Sequence, residues 1–517
     1  MPHAPKPRAP RLHRAVAIAV VTLVATLLTA AHAAAADVTV TSFDGTKIVA
    51  HWFPAQGLGA AERAATVLRG PGWSQPGDSD AASADSPEVG SVGNQTLADE
   101  GYNVLTWDPR GFGRSGGTVQ VDSKDFEGRD VQALLDWLAT QPEAKLDRPG
   151  DPRVGMVGAS YGGGIQLVTA AIDRRVDAIV PSIAWHSLTT ALYKQDTVKL
   201  GWASLLGLLG SALGRLDSHI TGAIAEGTAT GRLSAGNVAW FTDRGPAALV
   251  ERIKIPTLLI QGTVDNLFTL DEATTNYKIL RGNGVPTKLL WFCGGHGICL
   301  TPAGDTTRVH DATVNWLHRY LDRQTSVKTG ARFDWVDQDG RDRQAGDYPL
   351  PAGPAITASG SGTLLLTDVG GSGPPIPSTP PTSAIPLAGL PVAPAKALNA
   401  VNVKVPTGAG GQVIAGPPTV TLAYRGTATR ADSRVYAQLV DDATGRVLGN
   451  QITPIPVTLD GKARTVSQPL EIVSATTHAG SSFTLQLVAS SVAYGPARAL
   501  GSVAFSQVKV SVPTAKP

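Results

Sequence analysis

The sequence predicts an α/β domain built on a mostly parallel sheet, followed by an all-β domain of short strands. Three observations carry this. Short apolar runs alternate with helix-like segments as far as about residue 321. The helical periodicity then stops. Pro-, Gly- and Ser-rich material follows and gives way to strand-length runs separated by turns. A chain of 517 residues, 42% hydrophobic and 17% charged, has room for two such domains, each with its own core.

Taken in order, the first 36 residues read as an export signal. Lys6, Arg8, Arg11 and Arg14 form a basic stretch without acidic residues, an apolar run extends to about Ala30, and small residues precede Asp37. Small residues rather than a basic flank after the run favour cleavage over an uncleaved anchor, so a secreted protein is expected, without a membrane span once the signal is removed. Cleavage there leaves 40 Lys and Arg against 42 Asp and Glu, a near-neutral surface that points to neither nucleic acid nor anionic membrane as partner.

Two apolar runs flank Asp44-Gly45, a hairpin signal. Six more strand-like runs follow at 65–68, 103–107, 154–157, 178–180, 257–261 and 288–292. Between them, Val131, Leu134, Leu135 and Leu138 share one helical face, and 165–172 and 312–321 are further helices. Residues 185–250 break the alternation: Leu-rich and without a strand, they read as a helical cap or as a pair of connecting helices. The first domain is thus expected over 37–325 and the second, a β-sandwich or jelly roll, over 331–517. A Pro/Gly-rich stretch at 360–394 serves there as a linker or a long loop.

Gly158-Ala159-Ser160-Tyr161-Gly162 matches G-x-S-x-G, and so does Gly113-Arg114-Ser115-Gly116-Gly117. Context separates them. An apolar run leads into Ser160 and a helix leads out, the strand–turn–helix that exposes a nucleophile in the α/β-hydrolase fold. Ser115 has no helix after it. The partners of such a serine follow in the order acid, then histidine. Asp265 ends one strand run and His296 follows the next, so both stand at the carboxyl edge of the sheet. His186, His310 and His318 are rival bases. Asp271 is a rival acid that reads better as a helix cap. An oxyanion hole is expected from the backbone N–H groups of Tyr161 and Trp73, with the Trp73 indole as a further donor. The only two cysteines, Cys293 and Cys299, bracket His296, and export permits their pairing. No metal or cofactor is expected.

Asp108-Pro109-Arg110-Gly111-Phe112-Gly113-Arg114-Ser115 resembles the D-x-R-G-x-G-x-S loop of the X-Pro dipeptidyl-peptidase and cocaine-esterase-like α/β-hydrolases. The Gly-Ala-Ser-Tyr-Gly-Gly elbow is similar to theirs as well. The resemblance implies a helical cap, a C-terminal jelly roll and an acyl-enzyme on Ser160, formed from a small peptide or ester. It also implies an oxyanion-hole side chain, usually tyrosine, from the loop where this chain has Trp73. X-Pro dipeptidyl peptidases hold the substrate's amino terminus with an acidic group, and no residue here is assigned to that task. Carboxylesterase activity is the alternative within the fold, and a non-catalytic surface-binding protein with a vestigial core is the alternative outside it.

Overall fold

The computed structural model describes residues 36–59, 61–373, 396–408 and 410–516. The export signal expected over 1–36, apart from Ala36, lies outside these residues, as does most of the 360–394 stretch.

Ten strands form the first sheet. In spatial order they are Ala36–Thr41, Lys47–Phe53, Asn103–Trp107, Thr66–Gly70, Val154–Ala159, Val176–Ser182, Thr257–Gly262, Thr287–Phe292, Phe333–Val336 and Asp342–Ala345. The first two strands join antiparallel, the second also pairs antiparallel with Asn103–Trp107, the run from Asn103–Trp107 to Phe333–Val336 is parallel, and the last strand turns back antiparallel. The parallel strands are buried along almost their whole length, which is why they read as unbroken apolar runs. One face packs on helices Glu127–Leu138, Tyr161–Ile172 and Leu270–Gly282, through Leu134, Ile165, Leu167 and Tyr277 among others. The other face is covered by Asn94–Asp99 and Arg308–Tyr320, through Leu97, Trp316 and Leu317.

Phe333–Val336 and Asp342–Ala345 complete this sheet, although the second domain was expected to begin at 331. These strands are only four residues long, too short for an alternation pattern to declare itself. The 185–250 insertion is helical, with pieces Leu188–Leu192, Leu200–Leu213, Ser218–Thr230 and Ala235–Thr242. Ser187, Asp217 and Ser234 cap three of them by accepting backbone N–H groups.

The C-terminal domain is all β, around a strand of 23 residues, Thr419–Asp441, that pairs with five others. In the sequence this stretch reads as two separate strand-length runs, 419–424 and 434–439. The exposed residues between them hid their continuity, and register shifts at Ala423/Tyr424 and Thr427/Asp432 bend the strand. Ile356–Leu366 is also a strand, so the start of the Pro/Gly-rich stretch is neither linker nor loop: Gly360 and Gly362 pair with the strand Gly501–Val512.

Candidate active site

The strand Val154–Ala159 ends at Ser160, which takes φ 57° and ψ −116° before helix Tyr161–Ile172 begins. A non-glycine residue at positive φ is strained, and the turn is held by close backbone contact on its flank. A Cβ on Gly162 would lie 2.1 Å from the carbonyl oxygen of Gly70 on the neighbouring strand, so only glycine lets the helix start there. Ser115, in the second match to the motif, is a buried structural hydroxyl. Its Oγ accepts from the Val49 N–H at 2.8 Å and donates to the Asp108 carbonyl at 2.7 Å. The loop that carries it is pinned by Arg110, which binds both Asp44 and Asp130.

Asp265, His296 and Ser160 stand in one line. His296 Nε2 lies 2.8 Å from Ser160 Oγ, and His296 Nδ1 lies 2.7 Å from Asp265 Oδ2. Asp265 is fully buried, and its other oxygen accepts the N–H groups of Leu267 and Phe268 at 3.0 and 2.9 Å. A carboxylate so bound is an acceptor toward Nδ1, which leaves Nε2 free to accept from the serine. Phe268 and Trp202 meet the imidazole edge-on, with ring centroids 5.1 and 5.8 Å away. Cys293 and Cys299 are joined in a disulfide, with Cα atoms 5.5 Å apart, and close the loop around His296.

The rivals are elsewhere. His186 is held by Asn276, His310 by Asp85 and His318 by Glu100. Asp271 does not cap its helix: Thr269 stands at the N-cap position, and Asp271 Oδ2 accepts the Ile472 N–H from the C-terminal domain at 3.1 Å. Burial and the neighbouring Glu471 push the Asp271 carboxyl up to about 8.

Tyr161 and Trp73 both line the pocket beside Ser160, their rings 5.4 Å apart. The Trp73 indole does not serve the site, however. Its Nε1 donates to the Leu206 carbonyl in the cap at 2.9 Å. Sequence gave no hint of this, because the acceptor is a backbone group 133 residues away. Behind the pocket the Tyr161 hydroxyl donates to Glu127 Oε1 at 3.2 Å and accepts the Asp122 N–H at 3.3 Å. Burial pushes Glu127 up to about 7, against the N–H groups of Gln120 and Ser123 that favour its charge.

The pocket itself encloses about 890 Å³ of empty space, its open mouth included. Its walls are Trp185, Leu188, Leu206, Ile220, Ile224 and Phe268 with their apolar neighbours, and among the described residues no charged side chain lines it. Most of this wall comes from the insertion, which therefore roofs the site as a cap. Among the described residues, no group of three or more His, Cys, Asp or Glu side chains is gathered to hold a metal ion.

The family model for X-Pro dipeptidyl-peptidases (S15 family) matches residues 44–297, from the first hairpin through His296. Its hydrolase region belongs to that family. The chain is a hydrolase of the serine type. Nearly the whole chain also superposes on solved structures. It is similar to a CocE/NonD family hydrolase from Staphylococcus aureus (12% identity, 92% of this chain and 93% of the other, TM-score 0.68). It is likewise similar to an α-amino acid ester hydrolase (15%, 96% and 100%, 0.66). At such identities the likeness establishes the fold alone, an α/β-hydrolase domain followed by an all-β domain. Among curated proteins, an uncharacterized protein of Pseudomonas aeruginosa is 34% identical over 20% of this chain and 28% of its own length. The quorum-quenching protein AidA of Acinetobacter baumannii is 36% identical over 22% of this chain and 38% of its own. The chain thus matches less than two fifths of the length of either.

Proposed function

We propose that this chain is a secreted ester hydrolase that works through an acyl-enzyme on Ser160 and prefers substrates with a bulky apolar group. One observation carries the choice of ester over X-Pro dipeptide: the pocket beside Ser160 has no charged lining. A dipeptide's ammonium bound there would lose its water without a partner, at a cost of at least several kcal/mol. An apolar acyl or alkyl group instead gains roughly 0.8 kcal/mol per buried CH₂.

In this reading Ser160 Oγ attacks the ester carbonyl while His296 Nε2 takes its proton. Asp265 holds the tautomer that makes this possible and stabilises the imidazolium. The N–H groups of Tyr161 and Trp73 receive the negative charge that develops on the carbonyl oxygen. His296 then protonates the departing alkoxide. A water, deprotonated by the same imidazole, releases the acid. The Cys293–Cys299 disulfide fits an exported protein, since such bonds persist in oxidising compartments. The residues gathered at this site call for no metal or cofactor.

The test is a fluorophosphonate probe with mass mapping, followed by kcat/KM for p-nitrophenyl butyrate and octanoate against Ala-Pro-p-nitroanilide. An adduct on Ser160 that disappears in His296→Ala, with the esters preferred, supports the proposal. A preference for the dipeptide anilide overturns the substrate assignment. An adduct elsewhere overturns the nucleophile. Export is checked separately, by sequencing the amino terminus of protein recovered from the medium, which should lie near Asp37.

A further inference from the structure

The segment that carries Asp265 is held from outside its own domain. Its amides face inward, the N–H groups of Leu267 and Phe268 binding the Asp265 carboxylate. Its carbonyls face outward, and three consecutive ones find donors in the other two parts of the molecule. Gln451 Nε2, from the C-terminal domain, donates to the Asp265 carbonyl at 2.7 Å. Lys199 Nζ, at the start of cap helix Leu200–Leu213, donates to the carbonyls of Asn266 and Leu267, each at 3.0 Å. Trp202 Nε1, one turn along that helix, donates to Asn266 Oδ1 at 2.9 Å.

Lys199 is only 2% exposed, and a buried ammonium is costly unless balanced. The balancing charge belongs to the C-terminal domain. Glu471 is buried beside the lysines, pairs with Lys194 at 2.6 Å and accepts from the Thr269 hydroxyl at 2.9 Å. Burial pulls the Lys199 ammonium down to about 8, and Glu471 is the largest influence drawing it back up. Burial likewise opposes the charge of Glu471, but Lys194, the hydrogen bond to Asp271 and Lys199 outweigh it and hold its pKa down at about 2.

We propose that Lys199 of the cap and Gln451 of the β domain are positioning residues for the catalytic acid, so that the active site is assembled by all three parts of the chain. The two peptides that Lys199 grips have their N–H groups, those of Leu267 and Phe268, aimed at the Asp265 carboxylate and their C=O groups aimed at the ammonium, while Gln451 holds the carbonyl of Asp265 itself. Fixing the carbonyl end fixes the amide end, and with it the carboxylate that orients His296. The inference rests on the triad proposed above.

The experiment compares Lys199→Met, Gln451→Met and the reference Asp265→Asn in the full mature chain. It reads kcat and KM for a p-nitrophenyl ester, circular dichroism, and the low-field proton resonance of the His296 Nδ1–H bond. In both positioning variants kcat is expected to fall about tenfold or more with KM nearly unchanged, because geometry is lost rather than binding. The low-field resonance should broaden or vanish while the fold persists, which a merely structural role would not produce. Gln451→Glu, which turns an acceptor toward the Asp265 carbonyl, should be at least as damaging as Gln451→Met. If Lys199→Met does not fold, the Gln451 variants decide alone. Folded variants with parental kcat and an intact resonance overturn the proposal. If Asp265→Asn itself keeps full activity, it is the triad reading that fails.

Discussion

The indole of Trp73 donates to the Leu206 carbonyl at 2.9 Å, tying the loop beside the nucleophile to a helix of the cap. The same ring packs edge-on against Phe112 and Tyr161, at 5.0 and 5.4 Å. Trp73→Phe keeps most of that packing and removes the tether. We expect kcat/KM for an ester to fall roughly tenfold, about the worth of one buried hydrogen bond. Unchanged kinetics would show that the cap needs no such anchor.

Asp265→Asn tests the acid. The Asn amide nitrogen would face His296 Nδ1 and force the tautomer that carries its proton on Nε2, where it cannot accept from Ser160. A loss of kcat of roughly a thousand- to ten-thousand-fold is expected, with a folded protein. Steady-state turnover and a thermal melt on the same sample check both halves.

Glu127 gives a pH-dependent stability. Its pKa in the fold, about 7, lies above its ordinary 4.5, so the folded state holds a proton that the unfolded chain releases. That contribution is complete below about pH 4.5 and is lost as pH rises through 7, by about 3 kcal/mol in all. Urea unfolding at pH 5 and pH 8 should therefore show the gap between the parent and Glu127→Gln narrowing or reversing at the higher pH. A gap independent of pH would contradict it.

The disulfide closes a loop of few residues, so its effect on global stability is modest, roughly 2 kcal/mol in the chain-entropy account. Its effect on turnover should be larger, because the loop carries His296. For Cys293→Ser/Cys299→Ser we expect a slightly lower Tm and a clearly lower kcat. Thiol titration of the parent after unfolding without reductant should find no free thiol.

Ala223 lines the pocket from cap helix Ser218–Thr230, buried and small. Ala223→Phe should shorten the pocket. The ratio of octanoate to acetate kcat/KM should then fall about tenfold or more, the scale of one to three kcal/mol that apolar pockets offer. An unaltered chain-length profile would mean that the substrate's apolar group lies elsewhere.

Much of this site was legible because its chemistry is written in local pattern. The strand before Ser160, the glycines around it and the order of acid and base follow from spacing along the chain. The strand at 103–107 was read with both boundaries correct, since a buried parallel strand leaves a continuous apolar run. What failed had equally specific causes. Asp271 looked like a cap because it lies at a helix start, but its partner, Ile472, is 201 residues away. Phe333–Val336 was assigned to the wrong domain because four residues carry no period. Thr419–Asp441 was split because its middle is polar and exposed.

By itself, the sequence determined the hydrolase fold, the presence of a second β domain, and the identity of the serine, aspartate and histidine that stand together. Each of these depends on hydrophobic periodicity or on residue types forced by a tight turn, and such constraints act between near neighbours. Only the tertiary structure decided what the cap and the β domain do there. The uncharged pocket, the Trp73 tether and the grip of Lys199 and Gln451 on the Asp265 loop all join residues tens to hundreds of positions apart. Their partners are backbone carbonyls, which every residue possesses and which leave no mark in the sequence.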